Sequence, residues 1–103
     1  PANVSYEAGN DQAQGTAFQI LGNDIGNDND QCLSGYLCLY NPSSTTFVKN
    51  FLAVATYTQG ANIFFNQYIA GYFNTTSAID EIQFKMASGN IDSGDICLYG
   101  LST

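Results

Sequence analysis

Apolar and polar residues alternate with a period of two in short stretches along this chain, and turns rich in Gly, Asn, Asp and Ser separate them. That is the pattern of half-buried β-strands. It is cleanest near the C-terminus, where Ile82, Phe84 and Met86 alternate with Glu81, Gln83 and Lys85. Two Gly-centred breaks follow, Ser88-Gly89-Asn90 and Ser93-Gly94-Asp95, able to fold a short connection back on itself. A last strand is then expected, with Ile96 and Leu98 on one face and Cys97 and Tyr99 on the other, inside a sheet rather than trailing into solvent.

Upstream, Pro1–Gly15 is polar and punctuated by Gly, so it reads as a loop or edge segment, and Thr16–Leu21 reads as a short strand. Gly22–Asp30 is an acidic, Asn-rich loop. Leu33–Asn41 is a strand with Leu37 and Leu39 on one face and Tyr36, Cys38 and Tyr40 on the other. Asn41-Pro42-Ser43-Ser44 supplies a turn with Pro at its second position. Phe47–Tyr57 is strand-like, but its alternation slips near Lys49 and Asn50, which predicts a bulge. After a loop at Gln59-Gly60, Ala61–Phe73 sets Ile63, Phe65, Ile69 and Phe73 against Phe64, Tyr68 and Tyr72, so both faces are apolar. Asn74–Ser77 turns the chain toward the strand of Ile82–Met86. No helix period of useful length and no internal repeat appears beyond the echo of Cys38-Leu39-Tyr40 in Cys97-Leu98-Tyr99. The expected fold is all-β: a single domain over residues 1–103, a β-sandwich or jelly-roll-like module of about six short antiparallel strands.

Four stretches carry a family resemblance: Asn10–Leu21 (NDQAQGTAFQIL), Leu33–Phe51 (LSGYLCLYNPSSTTFVKNF), Ala70–Gly94 (AGYFNTTSAIDEIQFKMASGNIDSG) and Ile96–Leu101 (ICLYGL). Together they resemble small β-rich virion structural proteins of tailed phages, especially marine cyanophages, of the capsid-decoration or head or tail fibre type. The resemblance covers most of the chain. It implies a structural role in the virion, after assembly in the host cytoplasm, with copies of the chain and other virion proteins as partners. Such relatives carry a further β-rich N-terminal half, and this chain begins at Pro1. The expectation is therefore a processed or truncated chain, its sandwich completed by the missing half or by neighbouring subunits.

Composition narrows the partners. A chain of 103 residues supports one domain and buries only about 65% of its unfolded surface. Charged residues make up 11%, against roughly 25% in ordinary soluble proteins. Lys49 and Lys85 are the only cations, and the formal net charge is −7. Binding to a phosphate backbone or an anionic membrane surface is disfavoured on that ground, so neither nucleic acid nor membrane is an expected partner. A surface poor in charge but rich in Asn, Gln, Ser and Thr suits contact with other subunits, and it also suits polar glycans. No signal peptide or transmembrane run is visible.

The residues that could carry chemistry are few. There is no His, so nothing obvious lowers the pKa of Cys32, Cys38 or Cys97 for catalysis. On a strand, the adjacent carboxylates Asp80 and Glu81 point to opposite faces and cannot work as an acid–base pair. The expectation is no enzyme and no cofactor. Asp24, Asp28 and Asp30, with Asn23, Asn27 and Asn29, offer hard oxygens of the kind Ca²⁺ takes. Their spacing lacks the closing Glu of an EF-hand, so they remain weak metal candidates against a solvated turn. Cys32 and Cys38 would lie about 20 Å apart on an extended strand, beyond the ~6 Å of a disulfide, so any bridge would join Cys97 to one of them. The phage resemblance implies a reducing cytoplasm, which favours free thiols. It also implies a host that leaves the sequons Asn3-Val4-Ser5 and Asn74-Thr75-Thr76 bare.

The chain's seven Tyr suit subunit interfaces, and they also suit sugar stacking. Strand edges with few cations to guard them, and a segment apolar on both faces, point to assembly. Phe64, Tyr68 and Tyr72 are the expected interface residues, covered by another layer. A carbohydrate-binding module recognising host surface glycans is the alternative.

Overall fold

The computed structural model describes residues 3–102. Its sheet is built from three strands in sequence order: β1 (Leu33–Leu39), β2 (Lys49–Thr58) and β3 (Phe64–Phe73). All pairing is antiparallel, and among the described residues helix is confined to one short 3₁₀ turn, Ala8–Asn10. The protein is all-β. Among the described residues no helix is long and apolar enough to cross a membrane.

Local chemistry sets the connections. Between β1 and β2 the Asn41 carbonyl accepts the Ser44 N–H at 3.2 Å, closing the turn that Pro42 prefigures. The Ser44 hydroxyl then accepts from the N–H groups of Thr46 and Phe47. Between β2 and β3, Gln59 N–H donates to the Ile63 carbonyl at 2.8 Å and Asn62 N–H to the Gln59 carbonyl at 2.9 Å. Asn62 sits at φ 61° there, a left-handed conformation that Asn tolerates.

The ladder from Lys49 to Thr58 runs without insertion against Phe73 to Phe64. The bulge expected near Lys49 and Asn50 is therefore absent, because Lys49 takes an interior position and the alternation continues through it. Buried on the inner face of β2 are Lys49, Phe51, Ala53, Ala55 and Tyr57. Leu37 and Leu39 of β1 and Ile69 and Gly71 of β3 flank them on the same side. Gly35 lies opposite Ala55, where a Cβ would run into the Val54 carbonyl, so this close approach requires glycine. The Phe51 ring lies across Gly71 and tilts against Phe73 with centroids 5.2 Å apart. Tyr57 stacks on Phe65 at 5.7 Å.

Chain from both sides of the sheet covers this inner face. Lys49, 0% exposed, donates from Nζ to the carbonyl oxygens of Ser77 (2.6 Å) and Thr75 (3.3 Å). These bonds make the burial of an ammonium tolerable, and they pin the segment after β3 across the end of β2. Ile79 N–H reaches the Pro42 carbonyl at 2.8 Å. At the other end the Tyr57 hydroxyl accepts from Asn23 N–H (3.0 Å) and donates to Gln67 Oε1 (3.1 Å). Lys85 stands 4.5 Å over the Phe18 ring and joins the two flanking segments.

Three expected strands do not pair. Thr16–Leu21, the Ile82–Met86 stretch and Ile96–Tyr99 enter no ladder. The described chain thus forms a three-stranded sheet, with no second sheet facing it. Alternation fixes which side chains share a face but supplies no partner strand, and each of these stretches lacks one.

Candidate functional site

The face of the sheet opposite the core is an extended, exposed surface. Strand register places Tyr36, Val54 and Tyr68 in one row, with Cys38, Leu52 and Ala70 beside it. Asn50 pairs with Tyr72, Thr56 with Asn66 and Thr58 with Phe64. Thr56 Oγ1 donates to Asn66 Oδ1 at 2.7 Å, so these two polar groups satisfy one another. No Lys, Arg, Asp or Glu of the three strands points to this side, since Lys49 faces inward.

Phe64, Tyr68 and Tyr72, expected to share a face, do so. They stand 65%, 75% and 55% exposed. Tyr36 and Leu52 are exposed beside them. The ten-residue strands β2 and β3 with the seven-residue β1 span roughly 33 by 14 Å at the longest. That is a face of several hundred Å², on which Tyr36, Leu52, Val54, Phe64, Tyr68, Ala70 and Tyr72 outnumber Ser34, Asn50, Thr56, Thr58 and Asn66, and exposed apolar patches approaching this size mark interaction sites. Sequence reading named the β3 residues of this face. Tyr36 and Val54 join it through the register of β1 on β2, which strand alternation alone does not give.

The acidic loop has a different task. Ile25 bridges to Gln59, Gly26 N–H donates to the Thr58 carbonyl at 3.0 Å, and Gly60 N–H donates to the Asp24 carbonyl at 3.2 Å. The Gln59 side chain returns a bond to the Asn23 carbonyl. Gln31 Nε2 donates to Asn62 Oδ1 at 2.8 Å and to the Gln59 carbonyl. The loop is thus stitched to the end of β2 through backbone groups, while the carboxylates of Asp24, Asp28 and Asp30 stay exposed. Among the described residues no three His, Cys, Asp or Glu side chains converge on a point. A dent of about 590 Å³ beside this loop, lined also by Met86 and Ser88, holds one titratable side chain, Asp24.

Cys32, Cys38 and Cys97 are free, exposed thiols. Asp80 and Glu81 are exposed on a stretch without strand pairing. Tyr6 donates its hydroxyl to an Asp11 carboxylate oxygen, and that bond together with the carboxylate's charge holds the phenol pKa above its ordinary value.

A second hollow, about 1820 Å³, runs along β3 and reaches onto the inner face of the sheet. Its walls are the strand itself, Phe64–Phe73, the inward-facing Phe51 and Tyr57 of β2, and N-terminal residues between Asn3 and Gln19. The chain matches no protein-family model, no curated protein and no solved structure.

Proposed function

We propose that this chain is a structural module of a tailed-phage virion, a capsid decoration or a tail or fibre component, which acts by subunit packing and carries out no chemistry. The observation that carries the reading is the uncharged, aromatic outer face of Tyr36, Leu52, Val54, Phe64, Tyr68 and Tyr72. A sheet apolar on both faces requires cover on both, and this chain supplies cover to one. A neighbouring layer packed on the outer face completes a sandwich of about six strands, three from each side, in the aligned packing such sheets adopt. The resemblance of Asn10–Leu21, Leu33–Phe51, Ala70–Gly94 and Ile96–Leu101 to phage virion proteins supports placing that neighbour in a particle.

Gold-labelled antibody against the chain, imaged on purified particles, tests the location. Label at a fixed, repeated position on the particle is the expected result. Label confined to the soluble fraction of lysed cells would contradict it. The Tyr68→Asp variant tests the surface, because it puts a charge at the centre of an exposed face and leaves the core untouched. Self-association should weaken at least tenfold with the circular dichroism spectrum unchanged.

Glycan binding is the second reading, supported by the pairing of exposed Tyr72 with Asn50, an aromatic platform beside an amide. The outer face has no carboxylate to accept sugar hydroxyls, which weakens it. A glycan array with no ligand above background removes it.

A further inference from the structure

We infer that the C-terminal segment Ile96–Leu101 of one copy adds as a fourth strand to the outer edge of β3 in a second copy, so that assembly proceeds by exchange of tails. The inference rests on the assembly reading above and specifies its mechanism.

Two unsatisfied features of the same chain fit each other. The first is the edge. β3 is an end strand of the sheet, ten residues long, and every second residue of such a strand turns its N–H and C=O outward, unpaired. Natural edges are blunted by Lys or Pro. Here neither cation is available: Lys49 is buried against the Thr75 and Ser77 carbonyls, and Lys85 lies over Phe18. β3 contains no Pro. Its edge borders the 1820 Å³ hollow, so room for a further strand lies where a further strand would bond. The edge of β1 is shorter, seven residues against ten.

The second feature is the tail. Ile96, Leu98, Tyr99 and Leu101 are all largely exposed, Leu98 at 93%. The segment alternates Ile96 and Leu98 against Cys97 and Tyr99, apolar on both sides, as suits a strand covered on both faces. Six residues span about 20 Å and β3 about 33 Å, so the whole tail fits the edge. Gly89 and Gly94, at φ 72° and 146°, lie just before it and let it be redirected without strain. After β3, Met86 and Ser88 line the dent beside Gln59 and Gly60, and none of residues 76–101 lines the hollow along β3. The chain's own C-terminal segment therefore leaves the hollow free, and a neighbour's tail enters it between β3 and the N-terminal residues that form its far wall. Recognition by main-chain pairing with alternating side-chain pockets is an established mode of peptide capture.

The experiment compares the full chain with Leu98→Pro in sedimentation velocity over a hundredfold range of concentration, with thiol labelling at Cys97 as a second readout. Pro cannot donate to a ladder, and Leu98 touches little in its own chain, so the substitution spares the fold and removes the docking. The expected result is self-association of the parent chain, weakened at least tenfold in Leu98→Pro, with Cys97 labelling slow in the associated parent and fast in the variant. Association of both chains to the same extent would overturn tail exchange and leave packing through the outer face standing. A parent that stays monomeric throughout would overturn both. A monomer with Cys97 protected at every dilution would mean that the tail docks on its own β3, and would also overturn exchange.

Discussion

One side of β2 carries Lys49, Phe51, Ala53, Ala55 and Tyr57, and the other carries Asn50, Leu52, Val54, Thr56 and Thr58. The inner set is buried throughout, even its lysine. The outer set is half-buried to exposed, although Leu52 and Val54 are at least as apolar as the alanines they alternate with. The difference lies in the cover. Chain before β1 and after β3 folds over the inner face and is fixed there at both ends, through Asn23 on Tyr57 and Thr75 and Ser77 on Lys49. Among the described residues nothing comparable is bonded to the outer face, where Thr56 and Asn66 bond one another. Hydrophobicity of a strand face thus states a need for cover, and flanking segments with hydrogen-bonding reach decide where the cover comes from its own chain.

The largest test of the contrast pairs two substitutions on one strand. Phe51→Ala should cost about 3–5 kcal/mol in denaturant unfolding, since it empties the buried contact with Gly71 and Phe73. Leu52→Ala, one residue away and facing outward, should cost the unassociated chain less than about 1 kcal/mol. Equal losses would mean that the two faces are not distinct.

A smaller effect is expected at the pin of the inner cover. Tyr57→Phe removes one hydroxyl and leaves Asn23 N–H and Gln67 without their partner, a loss of about 1 kcal/mol. Amide exchange at Asn23 and Gly26 should quicken while exchange in the middle of β2 stays slow. Uniform quickening would show that the hydroxyl supports the whole sheet rather than the loop.

Phe84 refines the account further. The alternation of Ile82, Phe84 and Met86 predicts a strand, yet Phe84 is 39% exposed and unpaired. Phe84→Ala should therefore cost clearly less than Phe51→Ala, on the order of 1–2 kcal/mol. A loss equal to that of Phe51 would place it in a core these contacts do not include.

These cases mark how far the residues alone could lead. Leu33–Asn41 was legible as a strand because alternation and the Asn41-Pro42 turn agreed, and it ends within two residues of the expected bound. The start of β3 falls three residues after the expected Ala61, since Ala61 and Ile63 adjoin the apolar run but serve the turn that Gln59 and Asn62 close. Lys49 has the sequence signature of a bulge but none of its structure. A cation at an interior position breaks the polar pattern, and only the carbonyls of Thr75 and Ser77, distant in sequence, explain it. The outer face was half legible. Phe64, Tyr68 and Tyr72 follow from alternation within one strand, whereas Tyr36 and Val54 depend on register between strands.

The smallest expected effect lies far from the sheet. The bond to Asp11 raises the Tyr6 pKa by favouring the neutral phenol. Its contribution is complete below the ordinary phenol range and is lost as pH rises through the folded value. Tyr6 is exposed, so solvent screens the effect. Difference absorbance titration against Tyr6→Phe should put this phenol above ordinary tyrosine, and Asp11→Asn should bring it back.

The central claim, that the outer face is covered by a neighbour, is tested most directly by Cys38, which lies on that face beside Leu52. Cys32, ahead of β1 and also exposed, serves as the internal reference. Labelling rates of the two thiols are measured on the same chain, dilute and concentrated. The account predicts similar rates when dilute and at least tenfold slower labelling of Cys38 once the chain associates. Cys38 as reactive as Cys32 in a fully associated sample would contradict it.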